Sequence, residues 1–319
     1  MKAAVVASFD QPPRLEDIPS PIAESADELV VDVIAAGLHP RVRSQANGSH
    51  YTSTDELPLV PGIDGVGRGP DGLLRYFILP DTTRGSLAEQ TVVDPRRSVV
   101  LDETSDPVAV AAAMNPAMSS WIALRQRVRF EAGQNVLILG ATGNAGQLAV
   151  QVTKHLGANK VVAAGRDAAR LADLPALGAT ETVLLGGEPA DVARRLGQAT
   201  TDVDVVIDYL WGEPTAAALV AVVTDRADRG KPLTWIEIGS VAGPVAEIPS
   251  AALRAARLQI VGSGQGSVST REILTELPAL AQAITDGMFA VGAHPVPLEA
   301  VEQTWTDARS ATRRVVFTP

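Results

Sequence analysis

Residues 140–146, which read Gly-Ala-Thr-Gly-Asn-Ala-Gly, are the segment of this sequence best suited to hold a charged ligand. They follow an apolar run over residues 135–139, which predicts a buried strand, and precede a helical pattern over residues 147–156. Glycine lets the backbone bend tightly and approach a pyrophosphate, whose charge is then met by amide groups at a helix N-terminus. The spacing is that of a dinucleotide-binding turn, with alanine where the first glycine normally stands. We predict that six residues of this turn bind a dinucleotide, a turn without ligand being the alternative: Ala141, Thr142, Gly143, Asn144, Ala145 and Gly146.

The end of the next predicted strand, residues 160–164, indicates which dinucleotide would bind. A site for NAD usually has Asp or Glu there, about twenty residues after the glycine turn, to bond the ribose 2′-hydroxyl. This chain has Gly165 and Arg166 instead. A guanidinium pairs with phosphate through two parallel hydrogen bonds, which suits the 2′-phosphate of NADPH. We predict NADPH as the cofactor. The alternative is that Arg166 is a solvated residue that opens the next helix.

The composition bounds the class of protein. The chain has 319 residues, enough for two domains, with 46% hydrophobic and 20% charged residues. A net charge of −10 argues against a nucleic-acid partner, because nucleic-acid-binding domains usually carry a basic face. No uninterrupted apolar stretch approaches the length of a membrane span, and the N-terminus has no signal-peptide pattern. The absence of cysteine excludes disulfides, thiol nucleophiles and thiolate metal sites. We predict a soluble cytoplasmic protein with no membrane partner.

Patterns along the chain predict two kinds of architecture. The first hundred residues read as strands and turns, including strands over residues 2–7, 28–34 and 89–93. Helical patterns over residues 108–114 and 119–127 are interrupted near Pro116. Strands and helices then alternate, which predicts a doubly wound parallel sheet of α/β class. Its six strands are predicted over residues 136–139, 161–164, 182–185, 203–207, 233–238 and 258–262.

Five short segments, taken in chain order, are the basis of a family resemblance. They are Ala-Ala-Gly-Leu-His-Pro at residues 35–40, Pro-Gly-Ile-Asp-Gly at 61–65, the glycine turn, Ile-Glu-Ile-Gly-Ser at 236–240 and Arg-Val-Val-Phe at 314–317. Together they resemble the medium-chain dehydrogenase/reductase superfamily, in its zinc-independent quinone oxidoreductase and enoyl reductase branch. The resemblance implies a Rossmann doubly wound parallel sheet inserted in a GroES-like, mostly-β catalytic domain. It also implies a homodimer paired along the sheet edge near residues 258–261. The implied domains are residues 1–116 and 263–319 for the catalytic domain and residues 117–262 for the NADPH-binding domain.

The sequence departs from the zinc-dependent members of that superfamily, which carry a catalytic Cys, a His-Glu pair and a lobe with four Cys. Ile63 and Asp64 stand where the His-Glu pair would sit, and there is no room for the lobe between residues 86 and 99. The four histidines lack the dense spacing of a zinc site, which needs three or four soft or imidazole ligands. We predict no metal.

Without a metal, a side chain must polarise the substrate carbonyl and manage the proton. The branch often has Asn-Pro-x-Asp in an early loop, where this chain has His-Pro-Arg-Val at residues 39–42, so His39 is one candidate donor. Tyr51 is the preferred candidate, because residues 47–51 resemble the Gly-x-Tyr run of enoyl reductases with one extra residue. The resemblance implies that its loop faces the nicotinamide, where a phenol can deliver a proton as the hydride adds. Ordinary loop packing is the alternative for both residues.

Further cofactor contacts are predicted around the nicotinamide. Ser119 aligns with a family Thr beside the ring, and the ends of the fifth and sixth strands of the sheet need close backbone approach, which favours glycine. Two aromatic residues that follow the fourth strand, Tyr209 and Trp211, would line the same cleft. A helix serine, turn glycines and packed aromatics are the corresponding structural alternatives. The predicted contacts are Ser119, Gly239, Ser240 and Gly262.

These observations predict an NADPH-dependent, zinc-independent oxidoreductase that transfers hydride to a quinone or an α,β-unsaturated carbonyl compound. A short-chain reductase needs Tyr followed four residues later by Lys, but Tyr51, Tyr76 and Tyr209 are followed there by Asp, Pro and Glu. An NADPH-binding protein that has lost catalysis and acts as a sensor or structural protein stays open, because fold alone does not prove activity.

Overall fold

The computed structural model describes residues 1–264, 266–307 and 313–319. The chain divides into two compact units. The first unit consists of Met1–Pro116 and Leu274–Pro319, and the second unit is Ala117–Ile273. The second unit therefore extends past residue 262, at which the sequence predicts the end of the central domain.

The elements of both units are named in chain order over the described residues. The strands are β1 Lys2–Val5, β2 Arg14–Asp17, β3 Leu29–Gly37, β4 Asp64–Arg68, β5 Leu74–Ile78, β6 Gln90–Val93, β7 Ser98–Val100, β8 Asn135–Leu139, β9 Lys160–Gly165, β10 Glu181–Leu184, β11 Val205–Asp208, β12 Leu233–Glu237, β13 Leu258–Gly262, β14 Ala293–Pro297 and β15 Arg314–Thr318. The α-helices are α1 Pro40–Ala46, α2 Pro107–Ile122, α3 Asn144–His155, α4 Ala168–Asp173, α5 Pro189–Ala199, α6 Gly212–Thr224, α7 Ser250–Ala255, α8 Thr270–Thr285 and α9 Val301–Asp307.

The second unit contains a six-stranded parallel sheet in the order β10-β9-β8-β11-β12-β13, which confirms the predicted doubly wound sheet. Every residue of β8 is buried, as expected for a central parallel strand covered on both faces. The strand order reverses between β8 and β11. Ligands of such sheets bind beyond the carboxyl ends of the strands at this reversal, so a ligand is expected at that end of β8 and β11.

The first unit is mostly β-structure. A seven-stranded sheet has the order β14-β15-β3-β4-β5-β7, with β6 also paired to β3, and a separate antiparallel pair joins β1 to β2. Pairing is antiparallel except between β14 and β15. A core that includes Val31, Val42, Leu87 and Phe317 is buried beneath this sheet. The sheet thus brings the ends of β3, β4, β5 and β15, which are far apart in sequence, next to one another.

Helix α2 corrects the predicted break near Pro116, because the helix is continuous from Pro107 to Ile122 with that proline inside it. Proline removes one backbone hydrogen bond and disfavours a helix interior, but most of the surrounding turns are buried, and packing outweighs the local preference. The helix then continues as a π-helical turn at Ala123–Arg127. Together they span the 21 residues Pro107–Arg127, long and apolar enough to cross a membrane by composition, but about two-thirds of this segment is buried within the protein, as in a core helix.

Helix α1 corrects a second prediction, since residues 40–42 were expected in a loop. Pro40 occupies the first turn of the helix and His39 is its N-cap residue. Proline is well suited to that place, because its fixed φ is already helical and the first turn leaves its N–H groups without intrahelical partners. His39 therefore lies at the start of a helix, and not in a loop as the sequence predicted.

Candidate functional site

The glycine turn between β8 and α3 is closely packed backbone. Gly140 has a φ of 84°, in the left-handed region that favours glycine. A Cβ atom on Gly146 would lie 2.2 Å from the carbonyl oxygen of Gly140, so no larger residue fits there without backbone movement. The amides of Gly140 and Ala141 both donate to the carbonyl of Ala164, at 3.0 and 2.9 Å. These contacts hold the turn against β9.

The N-terminus of α3 is directed out of this turn. The helix begins at Asn144 with Gly143 as its N-cap residue, and no side chain caps it. Thr142, Asn144 and Ala145 are half-buried at the surface of the turn, and Gly143 is exposed. A helix of twelve residues carries partial positive charge at its uncapped amides, which favours an anion such as a pyrophosphate. The geometry fits the phosphates of a dinucleotide.

The end of β9 places two arginines near the turn. Gly165 packs against Thr142, since a Cβ atom on the glycine would lie 2.6 Å from the Thr142 Cγ2. Arg166 follows with an exposed side chain. Arg170, which we did not predict, donates from Nη1 to the carbonyl of Thr142 at 3.2 Å and lies 3.5 Å from the Asp167 carboxylate. Arg170 lies in α4, whose N-cap residue is Asp167, whereas Arg166 precedes that helix.

The loop after β11 is held by a buried carboxylate. Both Asp208 side-chain oxygens accept hydrogen bonds: Oδ1 from the backbone amides of Leu210 and Trp211, at 2.8 and 3.2 Å, and Oδ2 from the Thr215 hydroxyl and the Trp235 indole, at 2.7 and 2.9 Å. Trp211 has a φ of 53° and is the only non-glycine with left-handed φ in the part of the chain that the structure describes. Left-handed backbone in a bulky residue costs energy and persists where its surroundings dictate it. Here the four hydrogen bonds that Asp208 accepts, one of them from the Trp211 amide, hold the loop in this conformation.

Only some of the remaining predicted contacts of the second unit lie around this loop. The Ser119 hydroxyl is 2.9 Å from the Tyr209 hydroxyl. Gly239 packs against Tyr209, and its amide donates to the backbone carbonyl of Asp208 at 3.2 Å. Ser240 is exposed. Gly262 is also exposed, and its carbonyl accepts a hydrogen bond from Arg127 Nε at 2.8 Å. The structure thus groups Ser119, Gly239 and the glycine turn about Tyr209, whereas Gly262 belongs to the last strand of the sheet.

The carboxyl end of β12 carries a second acidic side chain that the sequence did not single out. Glu237 is in register with Asp208 on the neighbouring strand. Burial, and then the Asp208 charge, raise the pKa of Glu237 above its ordinary value.

In the first unit, His39 belongs to a buried polar cluster. His39 Nε2 lies 3.0 Å from Asp64 Oδ1, and the Tyr76 hydroxyl donates to Asp64 Oδ2 at 2.8 Å. His39 is only 2% exposed, and its Nδ1 has no hydrogen-bond partner among the described residues. Burial, and then the nearby Asp64 charge, raise the pKa of Tyr76 well above its ordinary value. Burial lowers the pKa of Arg314 to about 10, although the Asp64 charge opposes that effect. The sequence did not reveal this cluster, because its members lie on or beside four different strands.

Tyr51 lies outside that cluster. Its side chain is 74% exposed and its ring stacks on His50 at a centroid distance of 4.2 Å. The loop is anchored through Thr52, whose hydroxyl donates to Asp81 Oδ2 at 2.6 Å and accepts from Arg41 at 2.8 Å. Burial, and then the Arg41 charge, lower the pKa of His50. The two predicted donors therefore differ in their surroundings: His39 is buried and paired with a carboxylate, and Tyr51 lies at the surface of an anchored loop.

A metal site would need at least three close ligands. Across residues 1–264, 266–307 and 313–319, no group of three His, Asp or Glu side chains could hold a metal ion. The absence of a resident zinc stays a prediction.

Comparisons with known proteins indicate the family. A model of the zinc-binding dehydrogenase family matches residues 145–282, a segment whose only histidine is His155. The chain is 31% identical to the probable NADPH-dependent quinone reductase tdiC of Emericella nidulans, with 100% of both chains covered. It is 27% identical to the 2-methylene-furan-3-one reductase of Solanum lycopersicum, over 67% of this chain and 63% of that protein. Among solved structures, the quinone oxidoreductase of Thermus thermophilus, also determined with NADPH, covers 100% of both chains with 26% identity and a TM-score of 0.80.

The full-length similarity confirms the resemblance seen in the sequence. It covers both units, so that the parallel sheet and the mostly-β sheet are matched together. This chain belongs to the medium-chain dehydrogenase/reductase superfamily, in its quinone oxidoreductase-like branch.

Proposed function

We propose that this protein reduces a quinone or an α,β-unsaturated carbonyl compound with NADPH. The class is that of an NADPH-dependent quinone oxidoreductase-like enzyme. The observation that carries the cofactor assignment is the uncapped N-terminus of α3, set behind a glycine turn in which Gly146 admits no side chain. The names of the relatives, one a quinone reductase and one a furanone reductase, support the two substrate classes.

The turn and its neighbours would hold the cofactor in defined roles. The amides at residues 142–146 bind the pyrophosphate, because they lie at the positive end of α3. Arg166 and Arg170 supply cationic groups for the 2′-phosphate, and Gly165 leaves room beside Thr142. Ser119, Gly239, Ser240 and Gly262 contribute to the nicotinamide side. Bound NADPH supplies the hydride, and the protein supplies orientation and a proton.

Tyr51 is the proposed proton donor, and His39 is the second candidate. The Tyr51 phenol is accessible, and its loop is anchored through Thr52 to Arg41 and Asp81. Such a hydroxyl can donate to an oxygen on which negative charge develops. His39 has a buried Nδ1 without a described partner, and Asp64 holds its other nitrogen. An imidazole oriented in that way is also suited to donate, provided that substrate reaches it.

The direct test is turnover with a panel of quinones and enones, with NADPH and NADH compared at each substrate. We expect oxidation of NADPH that depends on the added acceptor, and a clear preference over NADH. Tight NADPH binding with no turnover on any acceptor would favour a sensor or structural protein instead. The burial of His39 favours this second function, because a candidate proton donor that is buried is less accessible to a substrate.

We also propose that the protein is a cytoplasmic homodimer. β13 is the last strand of the second-unit sheet, and its Leu258 and Ile260 are only half-buried. An apolar edge strand with unpaired backbone groups is commonly paired in an assembly. Sedimentation at micromolar concentration should show a dimer, and a monomer would contradict the proposal.

A further inference from the structure

Tyr209 combines features that the proposed cofactor site has not yet used. It is the first residue after β11, and its hydroxyl lies 2.9 Å from the Ser119 hydroxyl on α2. Burial raises the pKa of Tyr209 to about 12, although hydrogen bonds with Ser119 and Ser120 oppose the rise. The phenol therefore keeps its proton at any ordinary pH. Either hydroxyl can be the donor of this bond, and when Ser119 donates, the Tyr209 hydroxyl still has its own hydrogen to offer.

The position of Tyr209 is at the reversal of strand order. A Cβ atom on Gly140 would lie 3.3 Å from the Tyr209 Cβ, and one on Gly239 would lie 3.8 Å from its ring atom Cδ1. The residue thus has the phosphate-binding turn on one side and the end of β12 on the other. A doubly wound sheet consists of two mononucleotide-binding halves, and β11 opens the second of them. In an NADPH site, that half receives the nicotinamide nucleotide.

The backbone around Tyr209 is held by several hydrogen bonds. Asp208 accepts the amides of Leu210 and Trp211, so the turn cannot relax independently of the buried carboxylate. The segment after β12 is bonded to the same turn, because the amide of Ala242 donates to the carbonyl of Leu210 at 2.8 Å. A preorganised donor loses little conformational entropy on binding, which is the property expected of a ligand contact.

We propose that Tyr209 is a cofactor-contacting residue, whose hydroxyl, oriented by Ser119, donates a hydrogen bond to the ribose-phosphate part of the nicotinamide half of NADPH. This inference rests on the proposed function. The competing role is a brace that only ties α2 to the loop after β11. The two roles differ in what they affect, since a brace contributes to folding stability and a contact contributes to affinity for one half of the cofactor.

Isothermal titration calorimetry on the full chain separates them, with NADPH and 2′,5′-ADP as the two ligands. The second ligand has the 2′-phosphate but no nicotinamide half. Tyr209→Phe should weaken NADPH binding about threefold to tenfold, as expected for one neutral hydrogen bond, and leave 2′,5′-ADP binding unchanged. Unchanged NADPH affinity with a lowered melting temperature would establish the brace and overturn the proposal. Equal losses for both ligands would overturn it as well, because they would place the effect on the adenosine side.

Two further variants complete the experiment. Thr104→Val removes an exposed hydroxyl that donates to Asp102 in the first unit, and it should leave the Kd for both ligands unchanged. Ser119→Ala should weaken NADPH binding in the wild-type background but add nothing to Tyr209→Phe, if serine acts by orienting the phenol. Additive losses would overturn the role given to Ser119. Failure of the wild-type protein to bind NADPH would instead overturn the proposed function, so the two failures are distinct.

Discussion

The two units position their polar groups in different ways. The second unit presents backbone: the amides of a glycine turn and of one helix N-terminus, held by contacts in which a Cβ atom would not fit. The first unit presents side chains, with His39 and Tyr76 converging on the buried Asp64 from neighbouring strands. Backbone sites depend on local glycine spacing, whereas side-chain clusters depend on sheet order. The first kind is therefore visible in a sequence, and the second emerges only after folding.

The largest expected effect tests whether the first unit depends on its buried cluster. Asp64→Ala would leave the Tyr76 hydroxyl, one His39 nitrogen and the nearby Arg314 charge uncompensated. Breaking a buried charged network in this way costs about 3–5 kcal/mol in the free energy of unfolding. Urea denaturation measures it. Glu103→Ala, which removes an exposed partner of Arg68, is the control and should hardly move the urea midpoint. Similar midpoints for the two variants would contradict the contrast between the units.

Tyr51→Phe tests which donor of the first unit reaches the substrate. We expect kcat with an enone to fall about tenfold to a thousandfold, the range for loss of one oxyanion or acid–base partner. An enone is the stricter probe, because quinone reduction can draw its protons from solvent. NADPH affinity should stay the same, since the proposed contact is with substrate. If the Phe variant reduces enones at the wild-type rate, Tyr51 is a packing residue and His39 becomes the leading donor.

The two arginines that follow β9, Arg166 before α4 and Arg170 within it, test the side-chain part of the second unit. Arg166→Ala should remove most of the preference for NADPH over NADH, because a charge-assisted phosphate contact contributes about 1.5–3 kcal/mol, or about tenfold to a hundredfold in Kd. Arg170→Ala should have a smaller effect on this preference, since part of its hydrogen bonding is directed to Thr142. Arg194→Ala on α5 is a control of equal charge, paired with Asp191 at the surface. Equal wild-type affinity for the two cofactors would contradict the assignment.

The smallest expected effect is that of metal removal, which should not change the catalytic activity. Extended chelation should leave turnover unchanged, and elemental analysis should find well under one zinc per chain, because the sequence has no cysteine and no dense histidine spacing. Stoichiometric zinc, with activity lost on its removal and restored on its return, would contradict a mechanism that relies on side-chain donors alone.

Local sequence signals predicted much of the second unit. Its six strands and the turn at residues 140–146 follow from apolar runs and glycine spacing, and the structure confirms the doubly wound sheet. The break near Pro116 was wrong, because burial of α2 outweighs the preference of one residue. Residues 40–42 were wrongly placed in a loop, although Pro40 was a helix-start signal. Arg170 and Asp208 could not be assigned roles, since a contact to Thr142 or to Trp235 depends on chain segments 27 or more residues away.

The position of Trp211, near the proposed cofactor contact Tyr209, has a spectroscopic consequence. Three of the four tryptophans, Trp121, Trp211 and Trp235, belong to the second unit, and Trp211 lies two residues beyond Tyr209. The emission of indole overlaps the near-ultraviolet absorption of reduced nicotinamide, so NADPH bound to this unit would quench the intrinsic fluorescence of the protein by energy transfer. The unit thus contains its own optical reporter of occupancy. This fluorescence signal needs no substrate, and it would detect bound NADPH even in a protein without catalytic activity.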